Sequence, residues 1–469
     1  MDTNSIITES VAAFKQTLEA VCERAAGQPL SADNFSEFIG GMSEAISRGA
    51  LAGLKVYLES QDACAAWIMR EDVKYRFKTE GRKELMTPFG VLKLTRSVYQ
   101  ADSGGPIVVP LDESAGIRGL SATREVREAA LFGAAHSTPD EVAQMMAKMA
   151  LFRPSPTAIK NMVNDAGSLF EEQFEPLMGE VRDGEVAPSG ARVMVASLDG
   201  ANVLLDEPGP QKGRPAERPG IEPSNKSSYR NAMVGSISVY GDVPEGTDSP
   251  ERLFSRYVAH MPEDGFPTFK ERFLRELDHH ERLLGPDVEK VLLCDGQRSI
   301  WTFAKGIERF ASYEWLLDFQ HTCEHLSLAA EAIFGKGNDT AKAWYRKWRG
   351  RLLDRDNAPM GLLRSMNRYA KARMPKQRRE QLRTQITFFQ RNHPSMRYAE
   401  FRRRGLPIGS GPVEAACKSL VKQRLCRSGM RWSRKGGQHV LLLRTAVKSR
   451  RWEALWPLLS RSQERAHAA

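Results

Sequence analysis

Paired cysteines are missing from this sequence. Its six cysteines (Cys22, Cys64, Cys294, Cys323, Cys417 and Cys426) are scattered and nowhere form a CxxC pair, which removes the spacing a structural zinc site or a disulfide framework needs. Small buried thiols in a reducing compartment are expected instead. Long apolar runs are missing too: nothing approaches the roughly 18 residues of a membrane span. The opening MDTNSIITES lacks the basic-then-apolar order of a secretory leader. A soluble, cytoplasmic chain is the expectation. The first 80 residues also lack any constellation with chemistry and show only ordinary amphipathic helical spacing.

What is present is charge, unevenly spread. The 469 residues carry a net +10. Between Arg364 and Lys435 stand 20 Lys and Arg against three acids (Glu380, Glu400 and Glu414), a local +17, while the rest holds 48 bases and 55 acids. An acidic body with one strongly basic segment implies a polyanion-binding surface, and nucleic acid is the obvious polyanion.

Taken in order, helices are expected over 1–80, a small β element over 81–117 (TPFGVLKLTRSVYQ, PIVVPLDE) and helices again over 118–188. Three of these, with a Thr138/Glu141 capping box and a start near Ser155, have the size and order of a helix-turn-helix. Thr157, Lys160 and Asn161 would open its recognition helix. Strands are then expected at 193–199, 201–205 and 231–240, followed by a helix at 268–284, a strand at 290–294, a helix at 299–310 and a strand at 314–318. The loop 206–228 is too polar and too rich in Pro for a core. This order gives an α/β domain with a mixed sheet and helices on its faces. Its first part spans 189–321, a helical insertion spans 322–400, a segment at 401–435 bears Glu414, and 436–469 forms a last helix and a polar tail.

Three acids stand out against that frame. Two hydrophobic strands end on aspartate, VMVASLDG at Asp199 and VLLCDG at Asp295. The stretch LPIGSGPVEAACKSLVKQRLCRSGMRW carries a glycine-serine turn, Pro412 at a helix start and Glu414 in the first turn, where the helix dipole keeps a carboxylate ionised. On an α-helix Glu414, Lys418 and Lys422 would stack four apart on one face. Three carboxylates of this kind can hold divalent ions for phosphoryl transfer.

LDG at Asp199, CDG at Asp295 and GLPIGSGPVEAACK around Glu414 resemble the DDE transposases of bacterial insertion sequences. RYAEFRRRGLPIGSGPVE and RLCRSGMRW are similar to the ISKra-type members of the mutator-like group. The resemblance implies a ribonuclease H-like mixed sheet with an all-helical insertion, preceded by a mainly helical N-terminal region. It implies a metal-dependent enzyme that binds terminal inverted repeats, cleaves the element's ends and joins them to target DNA, as a homodimer or higher assembly on DNA. Two Mg²⁺ ions, with Mn²⁺ as substitute, would lie about 4 Å apart. Asp199 would bridge both, with Asp295 on one and Glu414 on the other. DFQH resembles the Asp-x-x-His motif of these enzymes, which makes Asp318 and His321 supporting residues. The paired cysteines that relatives carry before PLDE are absent, which argues against zinc in the N-terminal part.

Arg402, Arg403, Arg404, Lys418, Lys422, Arg424, Arg427 and Arg431 are expected to grip the strand on either side of the scissile phosphate; Trp301 and Trp432 could stack on flipped bases, although such aromatics are more often part of a core. The alternative is a DNA-binding regulator or domesticated transposase without turnover. A glycosidase, which also uses paired carboxylates, conflicts with the basic segment.

Overall fold

A computed structural model describes residues 3–149, 153–207 and 228–468. The loop expected over 206–228 lies almost wholly outside them. The described chain is mixed α/β and divides into two compact units, Met1–Gly179 with Trp452–Ala469, and Glu180–Arg451.

The first unit opens on a helical hairpin, α1 (Thr3–Ala25) and α2 (Ala32–Glu59). Ser31 caps α2 by accepting from the Asn34 N–H. An antiparallel four-stranded sheet follows in chain order: β1 (Trp67–Arg70), β2 (Val73–Thr87), β3 (Gly90–Ala101) and β4 (Ile107–Val108). The β element thus starts well before residue 81, and PLDE, read as strand, is the short helix α3 (Pro110–Ser114). Pro110 at its first position and the acids Asp112 and Glu113 in its first turn favour that helix. Asp112 is buried and paired with Lys83 and Arg96.

Helices α4 (Arg124–His136), α5 (Pro139–Met149) and α6 (Pro156–Glu172) follow, then α7 (Phe174–Asp183). The Thr138/Glu141 capping box forms as expected, with hydrogen bonds in both directions. Thr157, Lys160 and Asn161 are exposed on α6.

The second unit is built on a five-stranded sheet. Its strands are β5 (Val193–Leu205), β6 (Ser228–Tyr240), β7 (Arg252–His260), β8 (Glu289–Cys294) and β9 (Glu314–Leu317). They lie in the order β7-β6-β5-β8-β9. β5, β6 and β7 are antiparallel neighbours, while β8 and β9 run parallel to β5. The strands expected at 193–199 and 201–205 are one continuous β5, and β7 was not anticipated. Its sequence RLFSRYVAH interleaves charge and breaks the alternation that marks a strand.

Helix α8 (Pro267–Leu284) separates β7 from β8, and α9 (Arg298–Lys305) with a 3₁₀ turn (Glu308–Ser312) separates β8 from β9. After β9 come α10 (Phe319–Phe334), α11 (Asp339–Asp354), α12 (Ala358–Ala370), α13 (Lys376–Asn392) and the short α14 (Tyr398–Arg403). The chain returns to the sheet through α15 (Gly411–Ala416), a π-helical stretch (Cys417–Lys422) and α16 (Gln423–Leu425). It ends in α17 (Arg434–Lys448) and α18 (Trp452–Ala468). One helix and a tail were expected there. Instead Arg450, at φ 56°, breaks the run, and α18 belongs to the first unit.

Alternation along β5 sets out the cores. Met194, Ala196 and Leu198 face a core shared with α8 and α9. On the other face, Val193 and Val195 join the core of α10 to α14, while Ala201, Val203 and Leu205 join the core of α15 to α17. Ser197 and Asp199 lie on that second face, in the gap between its two cores.

Candidate active site

Register brings the acids together. β5 and β8 pair with Val193 opposite Glu289 and Ala196 opposite Leu292, so the same offset carried three residues on sets Asp199 beside Asp295. β8 and β9 pair with Cys294 opposite Leu317, and the next pair is Asp295 with Asp318, whose N–H donates to the Cys294 carbonyl at 2.9 Å. Parallel strands stand about 4.8 Å apart. Continuing that register puts the three aspartates level across adjacent strands, where β8 and β9 end, and the charges of Asp199 and Asp318 both act on Asp295.

Each member has a different environment. Asp199 is half-buried, accepts the Gly200 N–H at 2.6 Å, and takes a hydrogen bond from the Cys417 thiol. Burial first, then the charge of Asp199, pushes that thiol up, so it stays protonated as a donor. Asp295 accepts the Gln297 N–H at 3.0 Å. Burial, then the charges of Asp199 and Asp318, push its carboxyl above the ordinary range despite that bond and the nearby His321. Gly296 follows because α13 passes close by: a Cβ there would stand 2.3 Å from the Phe388 ring. The Arg391 guanidinium donates to the Gly296 carbonyl at 2.7 Å.

Asp318 is 1% exposed, and both its oxygens are occupied. One accepts the His321 N–H at 2.6 Å, capping α10, and the other accepts the Ser410 N–H. The Phe319 N–H also donates to the Ile408 carbonyl at 3.0 Å. One carboxylate therefore ties the start of the helical insertion to the turn that launches α15. His321 is one-third exposed, beside His325 and Glu324. Its neighbour His325 stacks on Phe388 and bonds to Gln385 at 2.7 Å.

Glu414 stands in the first turn of α15, its N–H donating to the Ser410 carbonyl at 3.2 Å. Its side chain is 42% exposed, with Lys418 Nζ at 3.9 Å and Ser410 Oγ at 3.5 Å. Asp199, Asp295 and Glu414 are not among the groups of described residues whose ligand atoms all lie within 4.8 Å of one another. The expected α-helical stack holds from Glu414 to Lys418 only. Beyond Cys417 the chain takes the wider π turn, a local distortion frequent at functional sites.

The basic residues divide. Lys418, Lys422, Arg427 and Arg431 are exposed. Arg424 is 2% exposed, its guanidinium 5.2 Å from the Trp432 ring centroid, and is removed from the DNA-contacting set. It lies between the apolar contacts of Val421 and Leu425, so its stem is drawn into the core. Arg402, Arg403 and Arg404 already have acidic partners within the chain: Arg402 pairs with Asp248 and Asp354, Arg403 with Asp356, and Arg404 with Glu289, Glu314 and Glu400. The tryptophans serve the fold as well. Trp301 donates to the Asp295 carbonyl and Trp432 to the Leu425 carbonyl at 2.9 Å.

Among the described residues one group does meet the 4.8 Å condition, Glu185, His279 and His280. The sequence reading missed it, although the doublet in LDHHERLL was a visible signal. Glu185 accepts from Arg256 at 2.6 Å, from Arg451 at 2.7 and 3.0 Å, and from His279 at 2.9 Å. Burial raises its carboxyl, but the His279 and Arg451 hydrogen bonds and the charges of Arg451 and Arg256 outweigh that and hold it far below the ordinary range. Arginine already supplies the positive charge, so this is a salt-bridge knot with no call for a metal.

No protein-family model matches the chain, and no curated protein matches it either. The functional reading therefore rests on the geometry.

Proposed function

We propose that the chain is a DDE transposase, with Asp199, Asp295 and Glu414 as the acids of a divalent-metal site for DNA strand cleavage and transfer. The observation that carries this reading is the in-register pair Asp199 and Asp295 at the end of β8. The strand order, numbered along the second unit, is 3-2-1-4-5 with the second strand antiparallel to its neighbours. We take that order as ribonuclease H-like. The helices α10 to α14 fall between its fifth strand and Glu414, where the resemblance to mutator-like transposases places an insertion.

The donor set fits hard divalent cations. Two carboxylates about 5 Å apart repel by roughly 3 kcal/mol at an effective dielectric near 20, and the charge of Asp199 adds to burial in pushing the Asp295 carboxyl up. Mg²⁺ held by Asp199 and Asp295, with Glu414 as the third acid, supplies charge neutralisation for phosphoryl transfer. Asp318 fixes the origin of the helix that bears Glu414. Lys418, Lys422, Arg427 and Arg431 bind backbone phosphates beside the acids.

The test is strand cleavage of DNA carrying the element's ends, in Mg²⁺ and then Mn²⁺. Metal-dependent nicking by the wild-type chain, lost in Asp199→Ala, is expected. DNA binding without cleavage under any divalent ion would favour the regulator instead.

A further inference from the structure

The N-terminal hairpin has one face that no other described residue of its own unit covers. α1 and α2 pack antiparallel along a stripe of small residues: a Cβ added at Gly41, Gly49 or Gly53 would stand 2.6 Å from Val21, 3.0 Å from Phe14 and 2.2 Å from Ser10 respectively. Leu51, Leu54 and Leu58 of α2 pack elsewhere, on the core of β2 and β3. That leaves Ile7 and Val11 on α1, with Phe35, Ile39, Ile46 and Tyr57 on α2, all between 49 and 57% exposed.

At about 100° per residue, these side chains lie roughly 40 to 100° from the contact stripe of their own helix, in the same rotational sense on both. In an antiparallel pair the same sense means the same side. The six form one apolar face across both helices, and half-buried Leu18 continues it on α1. The charges of α2 take the other side: Glu37, Glu44, Arg48 and Lys55 lie roughly 80 to 120° the opposite way, all exposed.

We infer that this face binds a second copy of the same chain, forming an antiparallel four-helix bundle. Three observations select that occupant. The first is spacing: Phe35 and Tyr57 each stand eleven residues from Ile46. A two-fold axis at Ile46 therefore sets Ile46 on Ile46 of the second copy and Phe35 on Tyr57 of the second copy, the self-complementarity a symmetric dimer requires.

The second is charge. The pairs Val21 with Gly41 and Phe14 with Gly49 put Thr17 level with Ile46, so the same axis passes Thr17. Lys15 and Glu19, two residues to either side and 3.7 Å apart within α1, then face their opposites in the second copy. The hairpin as a whole carries seven acids against four bases, which turns away a polyanion such as DNA.

The third is area. A hairpin about 35 Å long and two helices wide offers roughly 700 Å² per copy, close to the roughly 800 Å² per partner of a stable complex.

The test is sedimentation of the full chain at micromolar concentration without DNA, which makes it independent of the catalytic reading. Wild type is expected at the mass of two chains. Ile39→Asp with Ile46→Asp is expected at the mass of one, with the dissociation constant raised about a hundredfold or more and the far-ultraviolet dichroism unchanged. Register is read by oxidative cross-linking with Cys22, Cys64 and Cys426 replaced by Ser. Ile46→Cys should link to itself. Phe35→Cys should link only when Tyr57→Cys is also present, because its own mate lies about 33 Å away. A single-chain mass for wild type, a dimer indifferent to the two aspartates, or Phe35→Cys linking alone as readily as Ile46→Cys would overturn the inference.

Discussion

Two groups of buried acids in the second unit make opposite use of charge. Glu185 and Glu276 sit among Arg182, Arg256 and Arg451, and both are held below the ordinary carboxylate range because hydrogen bonds and charge from arginine outweigh burial. Asp199, Asp295 and Asp318 stand in a row across three strands with backbone amides and a thiol as donors, and Asp295 is pushed upward. A knot whose positive charge is built in is structural. A pair of acids left unbalanced where β8 ends is, on the proposed function, the place for a cation from outside. Proximity of ligand atoms alone picks the knot, while the balance of charge picks the row.

The largest effect expected from breaking this contrast is on catalysis. Asp199→Asn and Asp295→Asn should each lower strand cleavage about a thousandfold or more. Their melting temperatures should stay at or above that of wild type, because each removes a repelling charge. Cleavage retained by either variant removes that residue from the site.

Next comes the knot. Arg451→Ala leaves Glu185 and Glu276 buried without their shared cation and is expected to destabilise the fold by about 3 to 5 kcal/mol, read by chemical denaturation. A loss under about 1 kcal/mol would mean that water or Arg182 takes over.

The knot should also show in the pH dependence. Burial, working against the pull of Glu276, pushes His280 down from 6.5 to about 4. A depressed histidine stabilises the fold fully above its unfolded value and loses that stability as pH falls towards the folded one. Denaturation midpoints should therefore drop between pH 6.5 and about 4. Below pH 4.5 they should drop further as Glu276 and Glu185 protonate. His280→Gln should flatten the first limb alone, and an unchanged limb would reassign it.

The smallest effects separate the exposed Lys418 from the buried Arg424 on the Glu414 segment. Lys418→Ala should reduce the slope of log DNA affinity against log salt by about 1. Arg424→Ala should leave that slope alone and instead lower stability by about 1 to 3 kcal/mol, since it empties a packed position. A filter-binding series run beside denaturation distinguishes the two.

Much of this was legible because local pattern and tertiary structure agree. The runs VMVAS and VLLC, each closing on Asp-Gly, announced buried strands, and the helices of 322–392 followed from their spacing; β8 does end beside its aspartate, whereas Asp199 stands inside β5, which runs on to Leu205. Other features depend on contacts that pattern does not encode. Asp318 reads as a helix cap or a ligand with equal ease until the Ser410 amide arrives from 92 residues away. The π turn at Cys417 is invisible because π and α segments share the same residue preferences, yet it decides how far the stack of Glu414, Lys418 and Lys422 extends. The acidic partners of Arg402, Arg403 and Arg404 could not be read from the pattern, since they lie 4 to 154 positions away. Glu207 and Arg434, a surface pair at 2.7 Å, were hidden by the same distance in sequence.

The most direct test of the central contrast is calorimetric titration of Mn²⁺ into the wild-type chain, Asp199→Asn, Asp295→Asn and His279→Ala. Saturable binding in wild type and His279→Ala, lost in both aspartate variants, is the predicted result. Binding that survives Asp199→Asn and Asp295→Asn, or vanishes with His279→Ala, would place the cation at the arginine knot and contradict the account.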